Sequence, residues 1–283
     1  MNAWPARKDG AGPAIMILAA ASLWSTIGVA SVYSGAPLLA SLIRSVAAAA
    51  AVMPVYRAFN KAAVAAGVSL GFLFGIYSTA AAVAGVGLAA FLLYTAPLWT
   101  AVFSLAFGES PGRLGLAGLG MISAAVAIAM IDAASGGASI LGVALGLASG
   151  ASYGAYISIA RLFSRAGMSR DVSYGALPYA TIVTVPLFLF SISRGLAVMP
   201  SQFMTPLAAG VYLGIFCTVV PYRLFSLGVS RLRATLAAIL ATLEPVLAAV
   251  WGYVFLGQVP NPYEYAIYTL ITAALIISSL EAR

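Results

Sequence analysis

Residues 88–107 read LAAFLLYTAPLWTAVFSLAF, and residues 236–255 read LAAILATLEPVLAAVWGYVF. Aligned without a gap, the two stretches share eight residues, including the central prolines Pro97 and Pro245. A second pair, GFLFGIYST at 71–79 and GVYLGIFCT at 210–218, precedes the first pair in each half of the chain. Because the two matches keep the same order, they indicate an internal repeat rather than chance similarity between apolar segments.

The chain that carries this repeat is too apolar for a protein dissolved in water. Of its 283 residues, 63% are hydrophobic and 7% are charged, whereas soluble domains carry about 25% charged residues. This composition excludes soluble enzymes, disordered proteins and nucleic-acid-binding factors. The sequence contains no histidine and a single cysteine, Cys217, so imidazole bases, disulfides and clusters of histidine and cysteine metal ligands are absent. We therefore predict no catalytic residues, no metal site and no cofactor.

Ten apolar segments are long enough to cross a bilayer, which takes about 20 residues. We number them spans 1 to 10, and they lie near 13–33, 37–58, 62–83, 87–107, 112–131, 139–160, 172–193, 206–228, 234–256 and 262–280. The connections between them are short and leave no room for a soluble domain. The sequence thus predicts an all-α membrane protein of ten transmembrane helices.

The basic residues give an independent test of this map, since short cytoplasmic loops retain lysine and arginine. One side of the predicted membrane receives Arg194 alone, and Arg44 and Arg223 fall within spans. The opposite side receives Arg7, Lys8, Arg57, Lys61, Arg113, Arg161, Arg165, Arg170, Arg231, Arg233 and Arg283. If one span too many or too few were assigned, every later loop would change sides and the basic residues would be found on both sides of the membrane. We therefore expect both termini to be cytoplasmic and the protein to be a multi-pass protein of the cell membrane.

Each copy of the repeat contains five spans. We divide the chain into a cytoplasmic segment at 1–12, a first repeat at 13–131, a linker at 132–138 and a second repeat at 139–283. An odd number of spans inverts the second repeat relative to the first. Inverted repeats of this kind typically place a binding site near the middle of the membrane and rock about it, so this architecture favours a transporter.

Four stretches of the chain resemble the ten-span EamA branch of the drug/metabolite transporter superfamily. They are LWSTIGVA at 23–30, Arg44, YTAPLWTAVFSLAFGE at 94–109 and LEPVLAAVWGYVFLG at 243–257. The resemblance covers nearly the whole chain. It implies a transporter of amino acids, amines or other small metabolites, often an exporter, with a central cavity between spans 1, 3, 4, 6, 8 and 9. One position departs from the family pattern, because Gly257 is followed by Gln258 where the family usually has glutamate.

Three ionisable residues lie well away from the ends of the predicted spans, where charge is costly and marks either function or a buried pair. Glu244 lies near the middle of span 9, Arg44 nearer the outer end of span 2, and Arg223 nearer the inner end of span 8. Glu244 could bind a proton or a cationic group of the substrate. Alternatively, Glu244 and Arg44 form a structural ion pair while Arg223 extends to the cytoplasmic surface.

Pro97 and Pro245 occupy equivalent positions in spans 4 and 9. Each proline should bend its helix and free the carbonyl four residues earlier, for a ligand or simply for packing. Glycines at every fourth position of span 6, from Gly142 to Gly154, predict that another helix packs closely there. The same close packing is expected at Gly71 and Gly75 of span 3 and at the equivalent Gly210 and Gly214 of span 8.

Polar and aromatic residues on the spans assigned to the cavity are candidates for the substrate pathway. Tyrosine and tryptophan can offer an apolar ring and one hydrogen bond to a metabolite, although many such residues mark the membrane interface instead. The candidates are Trp24, Ser25, Tyr77, Thr79, Tyr94, Tyr153, Tyr156, Thr218, Tyr222 and Thr242. Few fixed charges accompany them, which argues against a multiply charged substrate.

The sequence therefore predicts a secondary active transporter, most readily an exporter, of a small organic metabolite by alternating access. A passive channel is the alternative, and a membrane-embedded enzyme is a weaker one because no catalytic cluster is visible. The expected partners are the metabolite, the lipid bilayer and a coupling proton, without nucleic acid. The sequence leaves open whether the protein is a monomer or a homodimer.

Overall fold

The structure is a computed structural model that describes residues 11–105, 112–195, 197, 199–229 and 240–280. Every regular element in these ranges is helical. The α-helices are Ala11–Ser25, Ile27–Tyr33, Pro37–Val52, Lys61–Ala84, Val86–Leu93, Ala96–Leu105, Arg113–Ala134, Ile140–Arg165, Thr181–Ser193, Met204–Gly214, Val220–Val229, Leu243–Leu256 and Pro262–Leu280. Two π-helical turns, Asp171–Gly175 and Ile215–Val219, and one 3-10 turn, Leu177–Ala180, connect some of them.

Several features of the sequence lie outside the described residues. They are the basic residues Arg7, Lys8, Arg231, Arg233 and Arg283, the pair Gly108-Glu109, and the start of span 9 up to residue 239. The predicted cytoplasmic segment 1–12 is described only from residue 11.

Eight helical stretches in the described part of the chain are long and apolar enough to cross a membrane. They are Gly12–Tyr33, Lys61–Ala84, Val86–Phe103, Arg113–Ala134, Ile140–Phe163, Asp171–Ser193, Met204–Phe225 and Pro262–Leu280, at the places of predicted spans 1, 3, 4, 5, 6, 7, 8 and 10. Shorter apolar helices, Pro37–Val52 and Leu243–Leu256, lie at the places of spans 2 and 9. The helical membrane protein expected from the composition is thus confirmed.

Span 2 is shorter than the sequence predicts. The helix ends at Val52, six residues before the predicted end, and turns occupy the next residues. The physical reason is Pro54, which has no N–H to donate and whose ring would clash with the carbonyl of Ala50 in a continued helix. The residues after this stop, including Tyr56, form a surface outside the span.

Three spans are interrupted by breaks in the helix. Span 1 breaks at Thr26, span 4 at Tyr94 and Thr95, and span 9 at Thr242. The last two breaks come two and three residues before Pro97 and Pro245 respectively, where each proline removes one backbone hydrogen bond. The interruptions bring irregular backbone into the centre of the protein, where it is tolerated only if it is buried in protein or lines a cavity.

Glycines set the closest helix contacts. A side chain at Gly71 of span 3 would collide with the backbone of Ala180 in span 7, and one at Gly210 of span 8 would collide with Ile43 in span 2. The span 6 stripe packs in the same way, since a side chain at Gly150 would meet Thr95 and the carbonyl of Leu92. The close approach expected from the glycine spacing is therefore present in all three spans.

The predicted linker at 132–138 begins inside a helix. The helix of span 5 continues to Ala134, and the helix of span 6 begins at Ile140. Asp132 is 1% exposed and accepts two hydrogen bonds from the Asn261 side chain, at 3.2 and 3.0 Å. Asn261 also caps span 10 reciprocally with Glu264, so the ends of spans 5 and 10 are joined.

Candidate functional site

A cavity of about 450 Å³ lies at the centre of the protein, between spans that come from both halves of the chain. Its volume falls within the range of small-molecule sites. Seven residues singled out from the sequence line it, namely Trp24, Arg44, Tyr77, Tyr153, Tyr156, Tyr222 and Glu244. The cavity therefore places one basic and one acidic side chain in a surface of aromatic and aliphatic residues.

Arg44 is oriented by residues that surround it rather than by an acid. Its side chain is 4% exposed, its Nε donates to Thr218 Oγ1 at 2.8 Å, and its guanidinium lies 3.8 Å from the ring centre of Phe74. Thr218 is held in turn by the π-helical turn of span 8, where its hydroxyl donates to the carbonyl of Leu213 at 2.8 Å. The extra residue of this turn directs the threonine oxygen towards span 2.

Glu244 of span 9 is held by Tyr94 of span 4, from the other half of the chain. The Tyr94 hydroxyl donates to Glu244 Oε2 at 2.7 Å and lies 3.4 Å from the carbonyl oxygen of Ala241. Ala241 stands four residues before Pro245, so its carbonyl is the one that the proline frees. Glu244 also lies in the first turn of Leu243–Leu256, the end of a helix at which the helix dipole favours a negative charge.

Arg44 and Glu244 line the same cavity without forming an ion pair. Among the described residues, no carboxylate oxygen lies within 4.0 Å of the Arg44 guanidinium. Apart from the bond to Thr218, its other described hydrogen bond is a long one of 3.5 Å to the carbonyl of Cys217. Arginine has five N–H donors, so several remain for a ligand in the cavity. The structural ion pair considered from the sequence is not formed here.

Aromatic residues make up half of the other residues that line the cavity. Trp24 meets Tyr222 edge-on at 5.6 Å and Phe225 at 5.3 Å, and Tyr222 meets Tyr156 at 6.4 Å. Tyr153 stacks against Tyr156 at 6.3 Å. In the part of the chain that the structure describes, the hydroxyls of these three tyrosines have no hydrogen-bond partner. They can therefore donate to a substrate.

Five predicted pathway residues lie away from the cavity surface. Ser25 accepts a hydrogen bond from Trp251 Nε1 at 2.9 Å, and Thr79 donates to the carbonyl of Gly75. Thr218 is the support of Arg44, Thr242 forms the break before Glu244, and Tyr94 acts through its bond to Glu244. Of these five, Thr218 and Tyr94 hydrogen-bond directly to the two charged residues of the cavity.

Arg223 is separate from this site. Its side chain is exposed and lines a second pocket with Tyr56 and Arg170, at the end of span 8 predicted to be cytoplasmic. This position agrees with the alternative in which Arg223 extends towards the surface.

The cavity also contains residues that sequence reasoning missed. They are Ile27, Leu73, Leu93, Ile157, Ala160, Ser173 and Phe225. Ile157 and Ala160 could have been found, because they follow Tyr153 at the spacing of one helix face. Ser173 could not, since it lies in a π-helical turn at the start of span 7, where the ordinary helix period does not apply.

The two halves are also connected at the end predicted to be extracellular. The Tyr33 hydroxyl of span 1 donates to the carbonyl of Phe255 in span 9 at 2.8 Å. Gln258, the residue that departs from the family pattern, accepts a hydrogen bond from the backbone N–H of Val86 at 2.8 Å. These two bonds join spans 1 and 4 to the outer end of span 9.

Comparison with known proteins agrees with this architecture. A solved crystal structure with 20% sequence identity has a TM-score of 0.61 and covers 97% of this chain and 99% of its own, which establishes the shared fold alone. The threonine/homoserine exporter RhtA of Escherichia coli K12 is 28% identical over 220 residues, which is 77% of this chain and 70% of RhtA. The uncharacterized transporter YwfM of Bacillus subtilis is 27% identical over 146 residues, so the chain matches about half of YwfM's length.

The profile of the EamA-like transporter family matches residues 140–280, which lie in the second half of the chain. This match and the named relatives indicate a transporter rather than an enzyme. Together with the apolar helices, they identify a multi-pass membrane protein. The chain therefore belongs to the EamA-like transporter family.

Proposed function

We propose that this protein is a secondary active transporter that exports a small zwitterionic metabolite, an amino acid or a close analogue, across the cell membrane. The observation that carries the proposal is the presence of Arg44 and Glu244 in one cavity without an ion pair between them. A guanidinium recognises a carboxylate through paired N–H donors, and a carboxylate recognises an ammonium. The similarity to a threonine/homoserine exporter supports the same class of substrate.

The proposed mechanism uses two inverted repeats of five spans each, which give ten crossings. The pattern of helix contacts supports this arrangement. Span 3 packs on span 7 through Gly71, while the equivalent span 8 packs on span 2 through Gly210. Exchanging the two halves turns one contact into the other, as expected for repeats related by a two-fold axis in the membrane plane.

The cavity is proposed to face the cytoplasm in this structure. Its lining extends to Ser173, three residues after Arg170, in a region that the charge asymmetry assigns to the cytoplasmic side. At the opposite end, Tyr33 and Gln258 join the two halves. Alternating access would then require these outer bonds to break and the cytoplasmic end to close.

Glu244 is the proposed site of proton coupling. A single carboxylate that binds either a proton or the ammonium group of the substrate lets the two ligands compete. Release of the substrate outside would be followed by protonation, and the carrier would return with the proton. Tyr94 would keep the carboxylate aimed at the cavity throughout.

Reconstitution into liposomes tests the proposed function. Efflux of labelled threonine, homoserine and related neutral amino acids should saturate and should be accelerated by unlabelled substrate on the opposite side. Flux that does not saturate and is not accelerated by unlabelled substrate on the opposite side would instead identify a passive channel. Protein-free liposomes and liposomes with a denatured sample are the controls.

The proposed topology predicts which positions are accessible from each side. Cysteine at Phe59, which is 85% exposed between spans 2 and 3, should react with a membrane-impermeant maleimide only from the cytoplasm. Cysteine at Ser201, between spans 7 and 8, should react only from outside. The native Cys217 is buried and provides a low background. Labelling of either position from the opposite side would contradict the span map.

Weakening the outer bonds should shift the protein towards the outward-open state. In the Tyr33→Phe, Gln258→Ala double variant, cysteine placed at Ile27 in the cavity should react with external maleimide about thirtyfold faster than in the parent, since each of the two lost hydrogen bonds contributes about 1 kcal/mol. Tyr265→Phe, another exposed tyrosine at the outer end, is the matched control and should leave the rate unchanged. Equal rates in all three proteins would show that these bonds do not hold the outer end closed.

A further inference from the structure

A second pocket of about 490 Å³ lies at the end of the protein predicted to be cytoplasmic, away from the central cavity. Its walls come from the end of span 2, the start of span 7 and the inner half of span 8. Arg170 and Arg223 line it together with Tyr56 and Tyr174, and the rest of its surface is mainly valine and leucine. We call it the basic pocket. The proposed transport function does not use it.

The two arginines of the basic pocket are not neutralised by acids. Both side chains are exposed, and in the described ranges no carboxylate oxygen lies within 4.0 Å of either guanidinium. The nearby Asp171 instead accepts hydrogen bonds from the Tyr56 hydroxyl and from the Asn60 side chain. The bond to Asp171 raises the pKa of the Tyr56 hydroxyl, so the tyrosine remains the donor in this bond.

An aromatic ring positions one of the two cations. The Arg170 guanidinium lies 4.7 Å from the ring centre of Tyr56, which holds it over the pocket. The Tyr174 hydroxyl is buried near Arg223, and no hydrogen bond of good geometry satisfies it among the described residues. The pocket thus offers two cationic groups and one hydroxyl donor, without an anion to bind them.

The shape of the pocket matches a molecule with an anionic head and an apolar tail. Val52, Val55 and Leu224 form its apolar side, and Val55 is 81% exposed. The pocket is at the level of the membrane surface, because span 2 ends at Val52 and span 7 begins at Asp171. Basic pockets between helices on the cytoplasmic side bind the head groups of anionic phospholipids.

We propose that the basic pocket binds the phosphate head group of an anionic phospholipid from the cytoplasmic leaflet. Arg170 and Arg223 donate to the phosphate oxygens, Tyr174 donates a third hydrogen bond, and the acyl chains lie along the valine and leucine side chains. The bound lipid joins spans 2, 7 and 8, and two of these carry Arg44 and its hydrogen-bond partner Thr218. The assignment to the cytoplasmic leaflet depends on the proposed topology, but the binding chemistry does not.

Native mass spectrometry in a neutral detergent tests this proposal without depending on transport. The protein is titrated with dioctanoyl phosphatidylglycerol and, as the neutral comparator, dioctanoyl phosphatidylcholine. The wild type should retain phosphatidylglycerol preferentially, and the Arg170→Gln, Arg223→Gln double variant should bind it about tenfold more weakly. Tyr174→Phe, a smaller change, should weaken it about threefold. Size-exclusion chromatography checks that each variant is folded, and the single arginine variants replace the double variant if it is not.

The matched control removes two other exposed basic residues predicted to be on the same side, Lys61→Gln and Arg113→Gln, which lie outside the basic pocket. Equal weakening in this control would overturn the proposal in favour of diffuse attraction to a basic surface. Displacement of the lipid by millimolar inorganic phosphate would overturn it in favour of a free-phosphate site. Unchanged binding in the pocket variants would exclude the pocket itself.

Discussion

We expect Arg44→Gln to reduce amino-acid counterflow in liposomes by at least about a hundredfold. The guanidinium is buried, already oriented by Thr218 and Phe74, and has free N–H donors towards the cavity. Hydrogen bonds between charged groups contribute about 1.5 to 3 kcal/mol each, so the loss of a paired interaction with the substrate carboxylate corresponds to about two powers of ten. The initial rate of counterflow, measured below saturation, is the quantity to compare.

Three further variants separate binding from folding. Arg44→Lys keeps the charge but not the paired donors, and should recover only part of the rate. Thr218→Val removes the support of Arg44 and should raise the KM for the substrate several-fold, since the guanidinium is then free to turn. Arg113→Gln removes an exposed arginine outside the cavity and should transport normally. If Arg44→Gln transported at the wild-type rate, the proposed recognition of a carboxylate would be wrong.

The second large effect is expected from Glu244→Gln, which should abolish the stimulation of efflux by an inward proton gradient. Glutamine keeps the size of the side chain and can still accept a hydrogen bond from Tyr94, but it cannot bind and release a proton. Exchange of labelled for unlabelled substrate should remain measurable, although at a KM about tenfold higher because the ammonium loses its anionic partner. The quantity to compare is the ratio of the efflux rate with the proton gradient to the efflux rate without it, measured in the same preparation.

Glu264→Gln is the matched control for this experiment. Glu264 is partly buried at the outer end of span 10, where its carboxylate accepts the N–H of Asn261, and glutamine can cap the helix in the same way. This variant should keep the full response to the gradient. A Glu244→Gln variant that still responded to the proton gradient would place the coupling site elsewhere, while leaving the proposed substrate site intact.

The two experiments also distinguish the proposals from each other. A proton-coupled carrier for a zwitterion should give two different results. Arg44→Gln should lose both substrate exchange and the response to the proton gradient, whereas Glu244→Gln should lose only the response to the gradient. Loss of gradient-driven efflux and of exchange in both variants, in folded protein, would point to a structural role for the pair. The cavity would then need another polar anchor, for which the tyrosine hydroxyls are the candidates.

The amino-acid sequence alone determined that the protein lies in a lipid bilayer, that it is helical, and where most of its helices lie. These properties follow from local chemistry. In lipid, each backbone N–H and C=O group must form its hydrogen bond within its own helix, and short cytoplasmic loops retain lysine and arginine. The same local reasoning located the breaks before Pro97 and Pro245, since a proline removes a hydrogen bond wherever the chain folds. It misjudged the end of span 2, where Pro54 was treated as part of an apolar run.

Only the tertiary structure decided which side chains meet. Glu244 is 150 residues from Tyr94 in sequence, and Arg44 is 174 residues from Thr218. An apolar pattern cannot specify such pairs. Lipid tails are as apolar as the helix surfaces, so burial does not favour one neighbouring helix over another. The pairing of helices depends instead on glycine contacts and on the geometry of irregular turns. For this reason the sequence allowed an ion pair between Arg44 and Glu244, whereas the π-helical turn of span 8 directs Arg44 to Thr218 and leaves the acid to Tyr94.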